Sequence, residues 1–313
     1  MLKKKIPTGT KMGAYDAASI RNLSTTSGKG IGNVLKDVLK PYGILLVLVG
    51  TTMVVNGQES VAVQNSGHTE RAPRNWINLS FSTDVYDQIF DPMYASSIGF
   101  EHKARYGSIL ARMNLNQRFS TTGTQFEIDV YPKIKKGMYA YLNYGYSNDI
   151  IFPKHRMGAE VYVGLPKAFE ASLGGRSLWF ETENVSMITA SLGKYSGNWY
   201  LVARPYFALR GTGHTGFSFT GNVRKYLKDK FNFWELVLGM GTTPEIWDPG
   251  LTDVLYVLYN VDAQFIDLRY QLPLEKWKSR VRFNIGCTRQ ERIREPNQFL
   301  WALNAGFTYM LGV

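Results

Sequence analysis

One cysteine in 313 residues, Cys287, excludes an internal disulfide and any site built on paired thiols. Histidine is nearly as scarce, with only His68, His102, His155 and His214. There is no C-x-x-C, H-E-x-x-H, P-loop or G-x-S-x-G pattern, so zinc, nucleotide and serine-elbow chemistry find no anchor. Serines are plentiful enough that one beside a loop histidine means little. The residues therefore predict no catalytic set, no cofactor and no metal. Glu245, Asp248 and Asp253, in the 241–256 stretch, read as solvated loop charges. Long hydrophobic runs are missing too. Nothing approaches the roughly 20 apolar residues of a spanning helix, and the mean hydropathy of -0.20 excludes a multi-helix membrane protein.

The formal charge of +11 looks like a nucleic-acid binder's, but its distribution removes that reading. "GILLVLVGTTMVV", Gly43 to Val55, follows Lys36 and Lys40 and precedes the polar "NGQ". A cationic flank, a short greasy core and small residues at its end predict a secretory signal peptide, cleaved near Gly57–Gln58. Residues 1–57 would then be leader, holding eight of the basic residues and two of the acidic ones. Residues 58–313 carry 28 basic and 23 acidic residues, a net of +5. An exported chain of that charge has no nucleic-acid partner to expect.

Residues 58–74 are polar and without period, and read as a flexible linker. From Asn75 to Val313, segments of ten or more residues alternate between apolar and polar positions, with turn signals between them and no helical period. Fourteen such segments can be drawn, or twelve if the 241–260 region is mostly loop. Soluble strands usually run five or six residues, whereas a strand crossing a bilayer needs about 9–11. Short connections ("ARYGS", "GLPKA", "GKYSGN") alternate with long ones ("DVYDQIFDP", "NDIIFPKHR", "QERIREPNQ"). Trp179, Trp199, Tyr144, Tyr146 and Tyr309 stand near segment ends, as an aromatic girdle would. The expected fold is all-β, a transmembrane antiparallel β-barrel over 75–313. Its surroundings would be membrane lipid and lipopolysaccharide.

The polar face is rich in charge. Gln125, Glu127 and Asp129 alternate with Phe126, Ile128 and Val130. Arg156, Glu160 and Tyr162 alternate with Met157, Ala159, Val161 and Val163, and Glu170, Ser172 and Arg176 stand against Phe169, Ala171 and Leu173. Arg204 and Arg210 share a side opposite Leu201, Ala203, Phe207 and Leu209. With Asn143, these are the residues expected to line the interior, either as a ligand-binding surface or as a salt-bridge network that stiffens the barrel. A hairpin centred on Pro166 would pair Tyr162 with Glu170, Glu160 with Ser172, and Arg156 with Arg176.

The stretch 123–206 carries a recognisable pattern. Gln125, Glu127, Asp129, Tyr131 and Pro132 open it; Tyr139, Tyr141, Asn143, Gly145 and Ser147 continue it. Phe152, Pro153, Arg156, Gly158, Glu160 and Tyr162 come next, then Glu170, Ser172, Gly174 and Arg176, and "SLGKYSGNWYLVARPY". In these residues the chain resembles the YaiO family of outer-membrane barrels. The resemblance implies a barrel in the outer membrane of a Gram-negative envelope. It implies no settled activity, only an association with envelope polysaccharide machinery. The functions to weigh are therefore a channel or binding barrel for a hydrophilic solute such as a saccharide, a structural component of an export system, and a lipid-modifying barrel enzyme.

Overall fold

The computed structural model describes residues 73–87, 91–118, 121–181, 183–210, 215–247, 257–292 and 295–313. Side chains are described for all of these except 210, 243–247, 257–261, 292 and 295–297. The leader, residues 58–72, His68 and His214, and Asp248 and Asp253, lie outside that set.

Fourteen strands succeed one another: β1 Asn75–Tyr86, β2 Met93–Ala104, β3 Gly107–Arg118, β4 Thr121–Lys135, β5 Met138–Tyr146, β6 His155–Leu165 and β7 Phe169–Trp179, then β8 Asn184–Ser196, β9 Trp199–Arg210, β10 Thr215–Tyr226, β11 Phe233–Trp247, β12 Val257–Leu274, β13 Ser279–Arg292 and β14 Glu295–Gly312. Each pairs antiparallel with its sequence neighbours, and β14 returns to β1 from Trp76↔Gly312 to Tyr86↔Ala302. Closure leaves no sheet edge, so every strand's ladder donors and acceptors face a partner. A lipid-embedded sheet requires this, because the hydrocarbon offers no water to an unpaired amide. The twelve-strand alternative is excluded. Around the doubtful 241–260 region the β11–β12 ladder runs unbroken to Trp247↔Val257.

The alternation seen in the sequence becomes two faces. Phe126, Ile128, Met157, Val161, Leu173, Leu201, Phe207, Ile285 and Leu303 stand exposed on the outside. Cys287 lies on that side as well, in the same alternation as Phe283 and Ile285, and is half-buried. Apolar residues on a sheet's outer face are favourable only against lipid. Of the expected girdle residues, Tyr144, Tyr146 and Trp199 are exposed, and Trp179 and Tyr309 are half-buried. Ile128, midway along β4, tests the lipid-facing assignment. Ile128→Arg is expected to destabilise the barrel by about 2–4 kcal/mol, and Ile109→Arg, beside a turn, by no more than about 1 kcal/mol. Denaturant titration in lipid vesicles measures both.

The end that carries Asn75 and Gly312 holds only tight turns: 105–106, 136–137, Pro166–Ala168, 197–198, 227–232 and 275–278. The longest connections, 147–154 and 248–256, sit at the other end, but so does the two-residue link 119–120, and one expected loop is absent. "QERIREPNQ" is not a loop, because β13 and β14 extend into it and leave only residues 293–294 between them. The register at Pro166 also differs from the expected one. Tyr162 pairs with Ser172, Glu160 with Gly174, Gly158 with Arg176, and Arg156 with Leu178. The turn is three residues long, with Lys167 and Ala168 both at φ 58°, so the hairpin centres on Lys167 and not on Pro166. The two-residue shift keeps each side chain on its face and removes the Arg156–Arg176 apposition.

Strand separation of about 4.8 Å and a tilt near 40° give a fourteen-strand barrel a backbone diameter of about 28 Å. No single side chain crosses that distance. Inward groups must therefore pair along the wall.

Candidate functional site in the barrel interior

Three wall-lying networks result. In the first, Arg112 of β3 donates to Glu127 of β4 at 2.6 Å and to Asp129 at 3.0 Å. Glu127 also receives Arg156 of β6 at 2.6 Å, and Asn114 donates to it at 3.0 Å. Asp129 accepts from the Tyr141 hydroxyl at 3.0 Å and from Asn143 at 2.6 Å. The Glu127–Arg156 pair passes over β5 at Gly145, which is cross-strand partner to both residues. A Cβ there would stand 2.6 Å from Arg156 Cγ. Glycine is what lets the arginine lie flat.

In the second network Arg204 of β9 reaches Glu160 of β6 at 2.6 Å across two intervening strands. Those strands present small groups. Ser172 donates to Glu160 Oε1 at 2.5 Å and meets Ser191 at 2.5 Å, and Arg204 donates to Thr189 at 3.4 Å. Arg204 also donates to the Tyr162 hydroxyl at 3.2 Å, and Tyr162 stacks on Tyr139 at 4.7 Å with their planes 6° apart. Glu170 accepts from Tyr200 at 3.0 Å and from Tyr139 at 3.4 Å. Gly174 faces Glu160, and a Cβ on it would come within 2.5 Å of the Ala159 carbonyl oxygen. Backbone cannot move aside as a side chain can. Gly174→Ala is thus expected to cost about 1–3 kcal/mol. Gly158→Ala, whose Cβ would meet Arg176 at an ordinary 3.5 Å, should be neutral or slightly stabilising. Midpoints of heat-modifiable gel migration rank the two.

The third network escaped the sequence reading. Arg224 of β10 and Arg269 of β12 both donate to Glu235 of β11, at 2.8 and 3.3 Å, and Arg269 also binds Asp267 at 2.5 Å. Arg282 donates to Gln271 at 2.6 Å, and Asn222 to Glu235 at 3.5 Å. Asp267 and Arg269 two apart in a strand were the available signal, since i and i+2 share a face.

The expected interior residues are thus distributed between two networks. Glu127, Asp129, Asn143 and Arg156 join the first; Glu160, Tyr162, Glu170, Ser172 and Arg204 join the second. Gln125 is buried on the same face of β4, and Arg176 lies 6.0 Å from the Tyr141 ring centre. Arg210 ends β9, pairs with Val185 along the backbone, and its side chain lies outside the described set. Not all inward positions are polar. Leu178 and Val185 are buried together with Phe180, Met187 and Ala208 around them, and Phe233 and Val237 are buried on β11. Among the described histidines, His155 meets the Tyr144 hydroxyl at 3.0 Å and the ring of Tyr146 at 5.3 Å, and His102 meets Asn75 at 2.7 Å.

The connection between β5 and β6 turns inward. Asp149 accepts from the Thr124 backbone N–H at 2.6 Å, and Ser147 donates to the Thr124 carbonyl at 2.5 Å. Ile151, Phe152 and Pro153 are buried. A Cβ on Gly123 would meet Ile151 Cγ1 at 2.7 Å, so Ile151 rests on the inner wall at that glycine. The mouth opposite the tight turns is narrowed by this segment.

A family model, "YaiO membrane beta barrel domain", matches residues 74–246. Among solved structures, a bacterial polysaccharide outer membrane secretin aligns at TM-score 0.51 and 7% identity, covering 78% of this chain and 100% of that one. An anion-selective porin from Comamonas acidovorans aligns at TM-score 0.41 and 10% identity, covering 76% and 98%. The KdgM porin aligns at TM-score 0.36 and 9% identity, covering 74% and 98%. At 7% identity the first supports the barrel architecture alone. No curated protein sequence matches the chain. The family model spans more than half of the residues and ends within β11, taking in the first two wall networks and the glycines beneath them. By that match, the chain belongs to the YaiO membrane β-barrel family.

Proposed function

We propose that this protein is an outer-membrane barrel, exported behind a cleaved signal peptide in residues 1–57, whose interior takes up a hydrophilic solute of the saccharide class. The observation that carries the reading is how the interior charge is spent. Opposite charges are matched along the wall: Glu127 by Arg112 and Arg156, Glu160 by Arg204, Glu235 by Arg224 and Arg269. Matched pairs leave little net sign to bind an ion tightly. They present hydroxyls, amides and the edges of ion pairs, the groups that bind sugar hydroxyls, next to the tyrosine rings of Tyr139 and Tyr162. A diameter of about 28 Å leaves room along the axis for a solute.

A second reading makes the barrel a closed structural component of an envelope export system. It draws support from burial, since Glu160 and Arg204 are only 2% and 5% exposed. Efflux of a neutral trisaccharide from proteoliposomes separates the two. The first reading expects release faster than from protein-free vesicles, slowing as the sugar lengthens. Release no faster than from protein-free vesicles would favour the closed component.

A further inference from the structure

The two ends of the barrel differ sharply in charge. Five of the six tight turns carry a lysine or arginine in the turn itself, Arg105, Lys136, Lys167, Lys228 and Lys276, and Lys194 of β8 joins them at the Pro166–Ala168 turn, where it donates to the Lys167 carbonyl. Solvent-facing acids in the same turns are few: Asp229, which accepts from the Phe231 backbone N–H at 2.5 Å, and Glu275. At the opposite end the described solvent-facing charge is largely acidic, with Asp91, Glu181 and Asp262 prominent. The cations thus form a ring around one mouth, where fields of one sign add up.

Aromatic and apolar groups are interleaved with them. Tyr106 and Trp277 are 76% and 64% exposed at the tips of their turns. The Arg105 guanidinium lies 5.7 Å from the Tyr106 ring centre. Tyr106 and Trp277 stand in the turns beyond the strand ends, where a ligand at this mouth can reach their rings. A flexible polyanion fits such a surface. Its acid groups would spread over several turns, and its ring faces would rest on the aromatics, the combination by which basic grooves with aromatic platforms hold other charged polymers.

We propose that the ring at the tight-turn mouth binds an anionic saccharide polymer and delivers it to the interior. This rests on the saccharide reading of the interior and adds the sign of the substrate and its side of entry. Outer-membrane barrels place their tight turns in the periplasm, so the chain would be captured there and repelled at the acidic end. The matched interior networks would not hold it by charge, so selection by sign sits at the rim.

The test is binding of polygalacturonate, with dextran of equal length as the neutral control, to the full chain in nanodiscs of zwitterionic lipid. It reads the rim whether or not the barrel conducts, so its outcome is separate from that of the efflux experiment. Polygalacturonate is expected to bind, with affinity falling linearly with salt on logarithmic axes. Replacing Lys136→Gln, Lys228→Gln and Lys276→Gln together with Lys230→Gln, which shares the exposed 227–232 turn with Lys228, should weaken it about tenfold or more and flatten that slope. Trp277→Ala should weaken it about fivefold or more and leave the slope unchanged. Lys154→Gln, at the other end, should do neither, and the gel shift on boiling confirms that each variant is folded. Three results would each overturn the proposal: equal binding of dextran, equal binding of polyglutamate unaffected by Trp277→Ala, or no polygalacturonate binding in zwitterionic nanodiscs together with enrichment of anionic lipid around the native chain but not the fourfold variant. The last would assign the ring to lipid headgroups.

Discussion

Arg204→Met is expected to destabilise the barrel by about 3–5 kcal/mol, the cost of stranding a buried charge. Glu160 is 2% exposed and held by Arg204 at 2.6 Å, and the other groups beside it, the Ser172 and Tyr162 hydroxyls, are neutral. Without the guanidinium, the carboxylate must ionise unpaired beside Tyr162 or take up a proton. Adding Glu160→Gln removes the charge that the first substitution exposed, and the double variant should recover most of the loss. A buried pair often contributes little net stability relative to neutral partners, while half of a pair is costly. A double-mutant cycle on unfolding midpoints measures the coupling. Lipid-facing controls such as Leu173→Val should shift the midpoint much less, because they leave no polar group unmatched.

The second large effect is on passage. Replacing residues 148–153 with a Gly-Ser pair should raise saccharide efflux several-fold while leaving the strand ladder closed. This segment closes no strand ladder. It is tied to β4 through Asp149 and Ser147, and it lays Ile151 on the wall at Gly123. Such a segment acts as a constriction and can be removed without opening the sheet. Asp149→Ala should give a smaller increase in the same direction, since it frees the Thr124 amide but leaves the apolar residues in place. Unchanged efflux in both would mean that the narrowest point lies elsewhere, with the Leu178–Val185 cluster the next place to look.

Much of the architecture was legible because a membrane barrel writes the same period into every strand. Met157, Val161 and Val163 had to face apolar surroundings and Glu160 and Tyr162 polar ones, whatever their partners were. What could not be read was which strand supplies the partner. Arg204 meets Glu160 across two strands, a relation set by the barrel's curvature and by small residues at Ser172 and Thr189, none of which is local in sequence. The turn at Pro166 misled for a local reason: proline marks a turn without fixing its centre, and neither Lys167 nor Ala168 advertises a left-handed backbone. The third network was obscured because Phe233 and Val237 share the inner face with Glu235, which breaks the polar-inside pattern on β11. Asp267 and Arg269 carried the clue there, two residues apart on one strand.

Single-channel recording of the full chain in a planar bilayer tests the central claim most directly. An interior that admits a hydrophilic solute predicts discrete conductance steps, interrupted when saccharide is added to the tight-turn side and enlarged by removal of residues 148–153. A membrane that stays silent with both the native chain and that variant, each verified as inserted, would contradict it and leave the barrel a closed structural element.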